Sequence, residues 1–376
     1  MVNKKRLTQT MRKLISLDSQ NPPGDEKSVG AFVRDYLKAL GIQTKTYSFS
    51  DKRTNVLATI KGRRRAHSLL LTPHLDTVPA GKNWKTNPLN AKIIGDRIYG
   101  LGATDCKGNL ASLLEAVNSM IEDGLRLDYD LVLAATADEE SGSYLGLIPL
   151  LERKILKPSA AVVLDADDFE IVVTQKGLMH LKVKIKGRKA HGAYPWLGIN
   201  AIDIAARVIV DLKGQAIRYK KNKYLRQPTI NIGTIAGGDK VNVVSDWCEI
   251  GIDFRFLPGM SEKNILGNLR NTISKYTRNF KIEIQGIQAP YSINSGHPLV
   301  KGLACAMKSL KIVPKISGSE GATVITFFKL RNIPAVATGF GTEGCAHVAD
   351  EYARLSNLYK GAQVLVSFLK NYKFNR

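Results

Sequence analysis

Four histidine and acidic residues follow short apolar runs, at places where a buried strand is expected to end. His74 follows SLLLT, Glu140 follows LVLAATA, Asp165 follows AAVVL, and His347 comes shortly after PAVATGF. Open α/β sheets gather ligand sites at the carboxyl ends of their strands, so these four side chains are expected to converge. Imidazole and carboxylate ligands together suit Zn²⁺, Co²⁺ or Mn²⁺, and the set therefore predicts a metal centre.

Each of these residues has an ordinary structural explanation when it is considered alone. A single histidine at a strand end is more often structural, although Asp76 could accept the N–H of His74 and fix its tautomer. The three acids at 138–140 could form a solvated turn. A cation that neutralises them explains their position at a strand end better. The ordered set, and no single member, carries the prediction.

A fifth candidate ligand, Asp105, lies in the glycine-rich segment YGLGATDCKG at 99–108, which leads into a predicted helix. Such a segment could cradle a phosphate. It lacks, however, the glycine spacing of a dinucleotide fingerprint and the Lys-Ser/Thr pair of a P-loop. We therefore interpret Asp105 as a metal ligand at a fifth strand end.

The motifs around these residues resemble those of the family that includes acetylornithine deacetylase, succinyl-diaminopimelate desuccinylase, aminoacylase and glutamate carboxypeptidase. The resemblance covers nearly the whole chain. In that family a peptidase-like catalytic domain carries a ferredoxin-like dimerisation domain. The motifs that carry the resemblance are NPPG at 21–24, HLD at 74–76, GATDCKG at 102–108, DEE at 138–140, GRKAHG at 187–192, DFR at 253–255 and AH at 346–347.

The resemblance implies two divalent metal ions, zinc with cobalt or manganese as alternatives, that share one bridging carboxylate. It makes Glu139 the general base, which takes a proton from the attacking water and delivers it to the departing amine. Adjacent side chains cannot both point the same way, so Glu139 and Glu140 would divide the roles of base and ligand. The implied ligands are His74 and Asp165 at one ion, Glu140 and His347 at the other, and Asp105 at both.

The same resemblance implies further contacts to the substrate. His191 would stabilise the oxyanion in the active site of a partner subunit, so the active enzyme would be a homodimer. Arg255 could hold a substrate carboxylate with its guanidinium fork, or could pair with Asp253 on the surface. Asn242 matches a substrate-contacting asparagine, and Glu320 either contacts a substrate ammonium group or only turns its loop.

The predicted activity is metal-dependent hydrolysis of the amide bond of an N-acyl amino acid, of acetylornithine deacetylase or succinyl-diaminopimelate desuccinylase type, within amino-acid metabolism. Position 165 leaves the subclass open, because the deacylase branches usually carry Glu there and peptidase branches more often carry Asp. The first alternative is therefore a metallo-dipeptidase or carboxypeptidase that acts on a dipeptide or similar substrate. The alternative from another class is a non-catalytic protein that binds an acidic partner. It predicts lost ligands, and none of the five is lost.

These residues require an α/β domain that brings strand ends together. Apolar runs that alternate with stretches of helical spacing are typical of strands buried on both faces between helices. The predicted elements of this domain are strands at 55–60, 68–72, 131–137, 160–164 and 334–340 and helices at 25–40, 109–121 and 353–370.

From Gly177 the pattern changes to strict alternation, with Leu181, Val183 and Ile185 on one face and lysines on the other. The order β-α-β-β-α-β that follows is the ferredoxin-like unit, whose sheet leaves one face open for a lid or a dimer contact. A chain of 376 residues also exceeds one core of ordinary size. We predict a zinc-peptidase-like α/β catalytic domain at 1–176 and 290–376, with a ferredoxin-like α+β dimerisation (lid) domain inserted at 177–289.

The chain carries 55 Lys and Arg against 33 Asp and Glu, a formal net charge of +22. This charge attracts anions over long range. We interpret the basic clusters at 61–65, 218–226 and KNYKFNR as solvated surface, with an acidic protein or nucleic acid as the less favoured partner. The sequence has no bilayer-spanning apolar stretch and its four cysteines have no CxxC spacing, so a cytoplasmic protein without membrane contact is expected.

Overall fold

The computed structural model describes residues 1–374, so the last two residues of the C-terminal basic cluster, Asn375 and Arg376, lie outside the described residues. The chain divides into two compact units. The first comprises Met1–Val173, Ile293–Ser317 and the chain from Phe327 onward, and the second comprises Thr174–Ser292 and Gly318–Thr326. Within residues 1–374, no helix is long and apolar enough to cross a membrane.

The helices and strands alternate along most of the chain. The described α-helices are α1 (Lys4–Ser16), α2 (Lys27–Ala39), α3 (Lys107–Glu122), α4 (Leu147–Glu152), α5 (Ala201–Gly214), α6 (Glu262–Ser274), α7 (Pro298–Ser309), α8 (Ile325–Lys329) and α9 (Leu355–Asn371). The described strands are β1 (Gln43–Ser48), β2 (Thr54–Ile60), β3 (Ser68–Thr72), β4 (Lys92–Ile94), β5 (Arg97–Tyr99), β6 (Asp130–Ala135), β7 (Ala160–Leu164), β8 (Glu170–Gln175), β9 (Gly177–Lys186), β10 (Thr229–Gly237), β11 (Trp247–Phe256), β12 (Phe280–Gln288), β13 (Tyr291–Ser292), β14 (Lys315–Ser319), β15 (Ala335–Thr338) and β16 (Tyr352–Arg354).

The sheet of the first unit has the strand order β1-β2-β6-β3-β7-β15-β8. The four neighbours β6, β3, β7 and β15 run parallel, whereas β1, β2 and β8 pair with their neighbours in antiparallel fashion. All five residues of β7 are buried, as expected for a strand covered on both faces. The predicted α/β architecture is confirmed.

Three helices of the first unit pack together. Helix α3 is buried along almost its whole length, and it packs against α1 and α9. The first of these, α1, was not predicted, because its many lysines and arginines obscured the apolar spacing. Leu7, Met11 and Leu14 nevertheless recur at helical spacing and are fully buried, and the Asn3 side chain caps the helix by accepting the Arg6 N–H.

The second unit is built on an antiparallel sheet with the order β10-β11-β9-β12. The chain order β9-α5-β10-β11-α6-β12 is the ferredoxin-like arrangement, which confirms the predicted inserted fold. Alternate residues of β9 and β11, such as Val183 and Ile250, form one buried core with α5 and α6. On the opposite face, Lys184 Nζ lies 3.0 Å from Glu283 and 3.8 Å from Glu249, so charged pairs cover that side of the sheet.

The segment Gly318–Thr326 groups with the second unit, although the sequence predicted that 290–376 belongs wholly to the catalytic domain. Lys176, which is buried, forms an ion pair with Glu320. The side-chain oxygen of Gln175 accepts hydrogen bonds from the backbone N–H and the hydroxyl of Thr323, at 3.1 and 2.7 Å. These contacts join residues far apart in the sequence, so the periodicity of apolar residues could not predict them.

Candidate metal centre

The four parallel strands of the first unit bring most of the predicted ligands to one edge of the sheet. His74 follows β3, Glu139 and Glu140 follow β6, Asp165 follows β7 directly, and His347 lies in the loop after β15. Because these strands are parallel neighbours, their carboxyl ends lie side by side.

Asp105 reaches this edge by a different route, which corrects the prediction of a fifth strand end. It lies after β5 and two residues before Lys107, the first residue of α3. The glycine-rich segment forms turns that lead into the helix, and an acid at a helix N-terminus is stabilised by the unpaired N–H groups there.

The candidate ligand atoms fall into groups in which all atoms lie within 4.8 Å of one another. His74 Nε2 is 2.9 Å from Asp105 Oδ1 and 3.9 Å from Asp165 Oδ1. His347 Nε2 is 3.1 Å from Asp105 Oδ2 and 3.2 Å from Glu140 Oε2. The two oxygens of Asp105 therefore face different imidazoles, as a carboxylate shared by two cations requires.

Glu139 belongs to a different ligand group from its neighbour Glu140. Its carboxylate lies with His74 and Asp165, whereas that of Glu140 lies with Asp105 and His347. The structure thus separates the two adjacent glutamates in the way that a division between base and ligand needs.

Cys106 also lies within ligand distance of His74 and Asp105. Its thiol, however, is bonded to the backbone of His74, since the sulfur accepts from the N–H at 3.1 Å and donates to the carbonyl at 3.4 Å. Burial raises the pKa of the Cys106 thiol to about 12. A thiol that stays protonated is a poor metal ligand, so we assign Cys106 a structural role.

The electrostatics of the site favour bound cations. Burial, with Asp105 adding to it, raises the pKa of Asp165 to about 7. Burial and the charge of Asp165 raise the pKa of Glu139 well above its usual range. Hydrogen bonds to Asp105 and Glu140 raise the pKa of His347 to about 10. The raised pKa values of the acids reflect burial and mutual repulsion, and the raised pKa of His347 reflects the attraction of Asp105 and Glu140 for positive charge. A divalent cation would supply that charge in place of the proton, so these residues fit metal ions.

Asp76 holds the two glutamates in place. Its carboxylate oxygens accept the backbone N–H groups of Glu139 and Glu140, at 3.0 and 3.1 Å, and a side-chain N–H of Asn21 at 2.9 Å. The expected bond from His74 goes elsewhere, because His74 Nδ1 lies 2.9 Å from the backbone carbonyl of Asp76 and 3.6 Å from its carboxylate. A proton on Nδ1 leaves Nε2 free to bind a metal ion.

Sequence reasoning missed a buried ionic network behind the site. Arg53 Nη2 lies 2.9 Å from Glu26 and 2.8 Å from Asp138, and Nη1 donates to the side chain of Asn21 at 3.3 Å. Asn21 in turn donates to Asp76. The NPPG motif that contains Asn21 was visible in the sequence, but nothing there indicated its partners.

His191 and Asn242 lie in the second unit, where the structure brings their loops together. The backbone N–H that follows His191 donates to the carbonyl of Asn242 at 2.8 Å. His191 itself is exposed, and its Nδ1 accepts the N–H of Ala193 at 3.0 Å. Its Nε2 is therefore the atom free to donate to a substrate oxygen, and this role remains a prediction.

Arg255 and Glu320 also lie in the second unit, and both have partners there. The Arg255 fork holds Asp253 with two bonds of 2.8 and 3.0 Å, which is the surface pair considered as an alternative. Glu320 pairs with Lys176 and accepts the backbone N–H of Arg226 at 2.8 Å. Substrate contact by either residue would require exchange of these partners.

An interrupted α/β fold with the Asp105 carboxylate between two imidazoles is the arrangement expected of metal-dependent hydrolases of amide or peptide bonds. The chain belongs to peptidase family M20/M25/M40, whose model matches residues 70–371. It is 27% identical to an acetylornithine deacetylase of Vibrio cholerae over 96% of this chain and 95% of the relative. The resemblance seen in the sequence is confirmed, and so is the prediction of a metallohydrolase.

Two solved structures show the same fold. An aminopeptidase PepT from Bacillus cereus has a TM-score of 0.82 and 22% identity, with 98% of each chain covered. A dinuclear metal-binding peptidase of family M20 from Bacillus subtilis has a TM-score of 0.75 and 17% identity, covering 98% of this chain and 97% of that one.

Proposed function

We propose that this chain hydrolyses the amide bond of an N-acyl amino acid, using two divalent metal ions and the base Glu139. One observation carries the proposal, namely that Asp105 presents one oxygen to His74 and the other to His347. Asp165 and Glu140 complete the two ligand sets. Zinc suits these imidazole and carboxylate ligands, and cobalt or manganese can replace it.

Two such ions, when bound, supply positive charge that polarises the amide carbonyl and acidifies water near neutral pH. Glu139 takes the proton of the attacking water on a carboxylate oxygen and gives it to the amine nitrogen as the C–N bond breaks. It must be ionised to do so. Nearby divalent charge offsets burial and the repulsion from Asp165, which together raise the pKa of Glu139.

The named relatives support two substrate classes. A deacylase is favoured by the acetylornithine deacetylase of Vibrio cholerae and by Arg255, a candidate partner for the free carboxylate of an N-acyl amino acid. A peptidase acting on short peptides is the second candidate, favoured by Asp165 and by the likeness to the aminopeptidase PepT. Arg255, Asn242 and Glu320 remain proposed substrate contacts.

A substrate panel tests the proposal. Purified protein loaded with Zn²⁺ or Co²⁺ is assayed for amine release from acetyl-amino acids, succinyl-amino acids, dipeptides and tripeptides. We expect kcat/KM to be highest for an N-acyl amino acid. Faster turnover of peptides would favour the second candidate. If no substrate in the panel released amine, both candidates would be contradicted.

We further propose that the enzyme is a cytoplasmic homodimer in which His191 completes the partner's active site. A cluster of exposed apolar side chains next to His191 supports this assembly, because large exposed apolar patches mark interaction surfaces. The exposed fractions are 53% for Tyr194, 71% for Trp196, 59% for Leu197 and 46% for Ile199. Sedimentation at micromolar protein tests it, and a monomer with full activity would contradict it.

A further inference from the structure

Glu351 is a buried acid that the proposed chemistry does not use. It lies four residues after His347, and only 2% of it is exposed. Its carboxylate accepts three backbone N–H groups, all from the segment that ends in Asp105. The donors are Gly102 at 2.8 Å to Oε2, and Thr104 at 2.7 Å and Asp105 at 3.0 Å to Oε1.

Two further bonds join the same two loops. The backbone N–H of Gly100 donates to the Glu351 carbonyl at 3.0 Å, and the Thr104 hydroxyl donates to the Tyr352 carbonyl at 2.8 Å. The loop that carries His347 is thus bonded to the segment that carries Asp105. Without Glu351, the N–H groups of Gly102, Thr104 and Asp105 would face a buried space with no acceptor, which is costly.

The position of the Asp105 backbone decides whether its carboxylate can be shared. One oxygen must face His74 and the other His347, at 2.9 and 3.1 Å, so a small rotation of the segment would break one of the two contacts. Glu351 accepts the N–H of Asp105 itself, which restrains that rotation directly.

We propose that Glu351 is a positioning residue of the two-metal centre, which holds the Asp105 carboxylate where both ions can share it. This inference rests on the metal centre of the proposed function. It predicts that Glu351 affects metal affinity without touching a metal ion, as partners of metal ligands commonly do.

The test compares Glu351→Gln with Asp350→Asn. Gln keeps the shape of Glu but replaces one acceptor oxygen with an NH₂ group that faces an N–H donor. Asp350 is a matched control, because it is in the same loop and accepts backbone N–H groups from Lys85 and Thr86, at 2.9 and 3.1 Å, which are not near any ligand in sequence. Each metal-free protein is titrated with Zn²⁺ by calorimetry, and its Co²⁺ absorption spectrum and melting temperature are recorded.

Glu351→Gln is expected to weaken Zn²⁺ binding by about 10- to 100-fold and to change the Co²⁺ spectrum. Asp350→Asn should retain wild-type metal affinity and spectrum even if its melting temperature falls. If Glu351→Gln fails to fold, Glu351→Asp takes its place. This variant withdraws both oxygens by one methylene group, and its Zn²⁺ affinity and Co²⁺ spectrum are measured in the same way.

Wild-type metal affinity in the Glu351 variant, or an equal loss in the Asp350 variant, would overturn the inference. These results are distinct from a failure of the proposed function. That failure would appear in the wild type, as an inability to bind two metal ions or to hydrolyse any amide in the panel.

Discussion

Glu139 and Glu140 are adjacent, yet each contributes to a different ligand group. The backbone makes this separation possible, because Asp138 before them has a positive φ of 65° and Asp76 accepts the N–H groups of both glutamates. A residue in that region of φ costs free energy, which the bonds of Asp138 to Arg53 and to the Leu145 N–H help to offset. The ionic network behind the site therefore also supports the turn that presents the base.

Glu139→Gln is expected to retain both metal ions and to lower kcat by about 10³-fold or more, because it removes the base but no ligand. Metal content by mass spectrometry and turnover of the best panel substrate measure the two effects. Glu140→Gln is the control, and it should lower metal content. Near-normal turnover in Glu139→Gln would assign the base elsewhere.

Glu26 gives a prediction for pH. Burial, with Asp76 adding to it, raises the pKa of Glu26 from 4.5 to about 7. Between these values the folded protein binds a proton that the unfolded chain lacks, so this group lowers the free energy of unfolding as pH rises from about 4.5 to about 7. Glu26→Gln cannot titrate. The stability of Glu26→Gln relative to wild type should therefore rise by about 2 kcal/mol from pH 5 to pH 7.5.

Urea unfolding at the two pH values measures this difference. Glu122→Gln is a useful control, since a hydrogen bond from Arg6 lowers the pKa of Glu122. Above the ordinary pKa of a glutamate, Glu122 contributes a constant amount to the free energy of unfolding. The stability difference between Glu122→Gln and wild type should therefore be the same at both pH values. If the stability difference between Glu26→Gln and wild type is the same at both pH values, the pKa of the Glu26 carboxyl is not raised in the folded protein.

At the scale of elements, the apolar runs of the sequence located the buried strands well. The bounds of β3 and β7 agree with the predicted 68–72 and 160–164, because a continuous apolar run is a local property of the sequence. Helix α1 and the pair β4 and β5 were not predicted. Helix α1 is rich in lysine and arginine, and β4 and β5 have only three residues each, so none of them shows a clear apolar pattern. Helix α1 packs against α3, and β5 pairs with β16, both distant in the sequence.

The same distinction applies to the candidate site. Strand ends and residue types indicated the candidate metal ligands, since both are visible locally. The roles of Arg53, Asp76 and Glu351 depend on bonds between residues distant in the sequence. Arg53 and Asp138 are 85 positions apart, Asp76 and Glu139 are 63 apart, and Glu351 and Gly102 are 249 apart. Only the folded chain reveals those partners.

Helix α1 is expected to depend on Arg6 for its contact with α3. Arg6 Nε lies 2.7 Å from Glu115, which is fully buried, and Nη1 binds Glu122, which is half exposed. Arg6→Met would leave the Glu115 carboxylate buried without a cation and should cost about 3 kcal/mol of stability.

Glu122→Gln removes only the exposed partner of Arg6 and should cost less than about 1 kcal/mol. Chemical unfolding of the two variants beside wild type measures both effects. Similar costs for the two would show that burial of the Glu115 pair does not matter.

At the scale of the whole molecule, the proposed crossing of His191 between subunits can be tested by mixing. Homodimers of His191→Ala and of Glu139→Gln should each be inactive or nearly so. A mixed dimer would contain one site with both an intact base and an intact partner histidine. Co-expressed and purified mixed dimers should therefore recover part of the wild-type kcat.

The recovery should be absent from a mixture of two Glu139→Gln preparations carrying different tags, which controls for tag exchange. No recovery in the His191→Ala and Glu139→Gln dimer, with dimer formation verified by the tags, would show that each subunit uses its own histidine or none.

The position of β15 has a consequence for how the protein is made. This strand lies between β7 and β8, which are synthesised one after the other, yet β15 begins only at Ala335. During translation β15 cannot pair with β7 and β8 until the ferredoxin-like unit, which lies between β8 and β15 in the sequence, has emerged. The nascent chain would thus expose unpaired strand edges, a hazard for misassembly. The proposed metal centre would be complete only after β15 and His347 have left the ribosome.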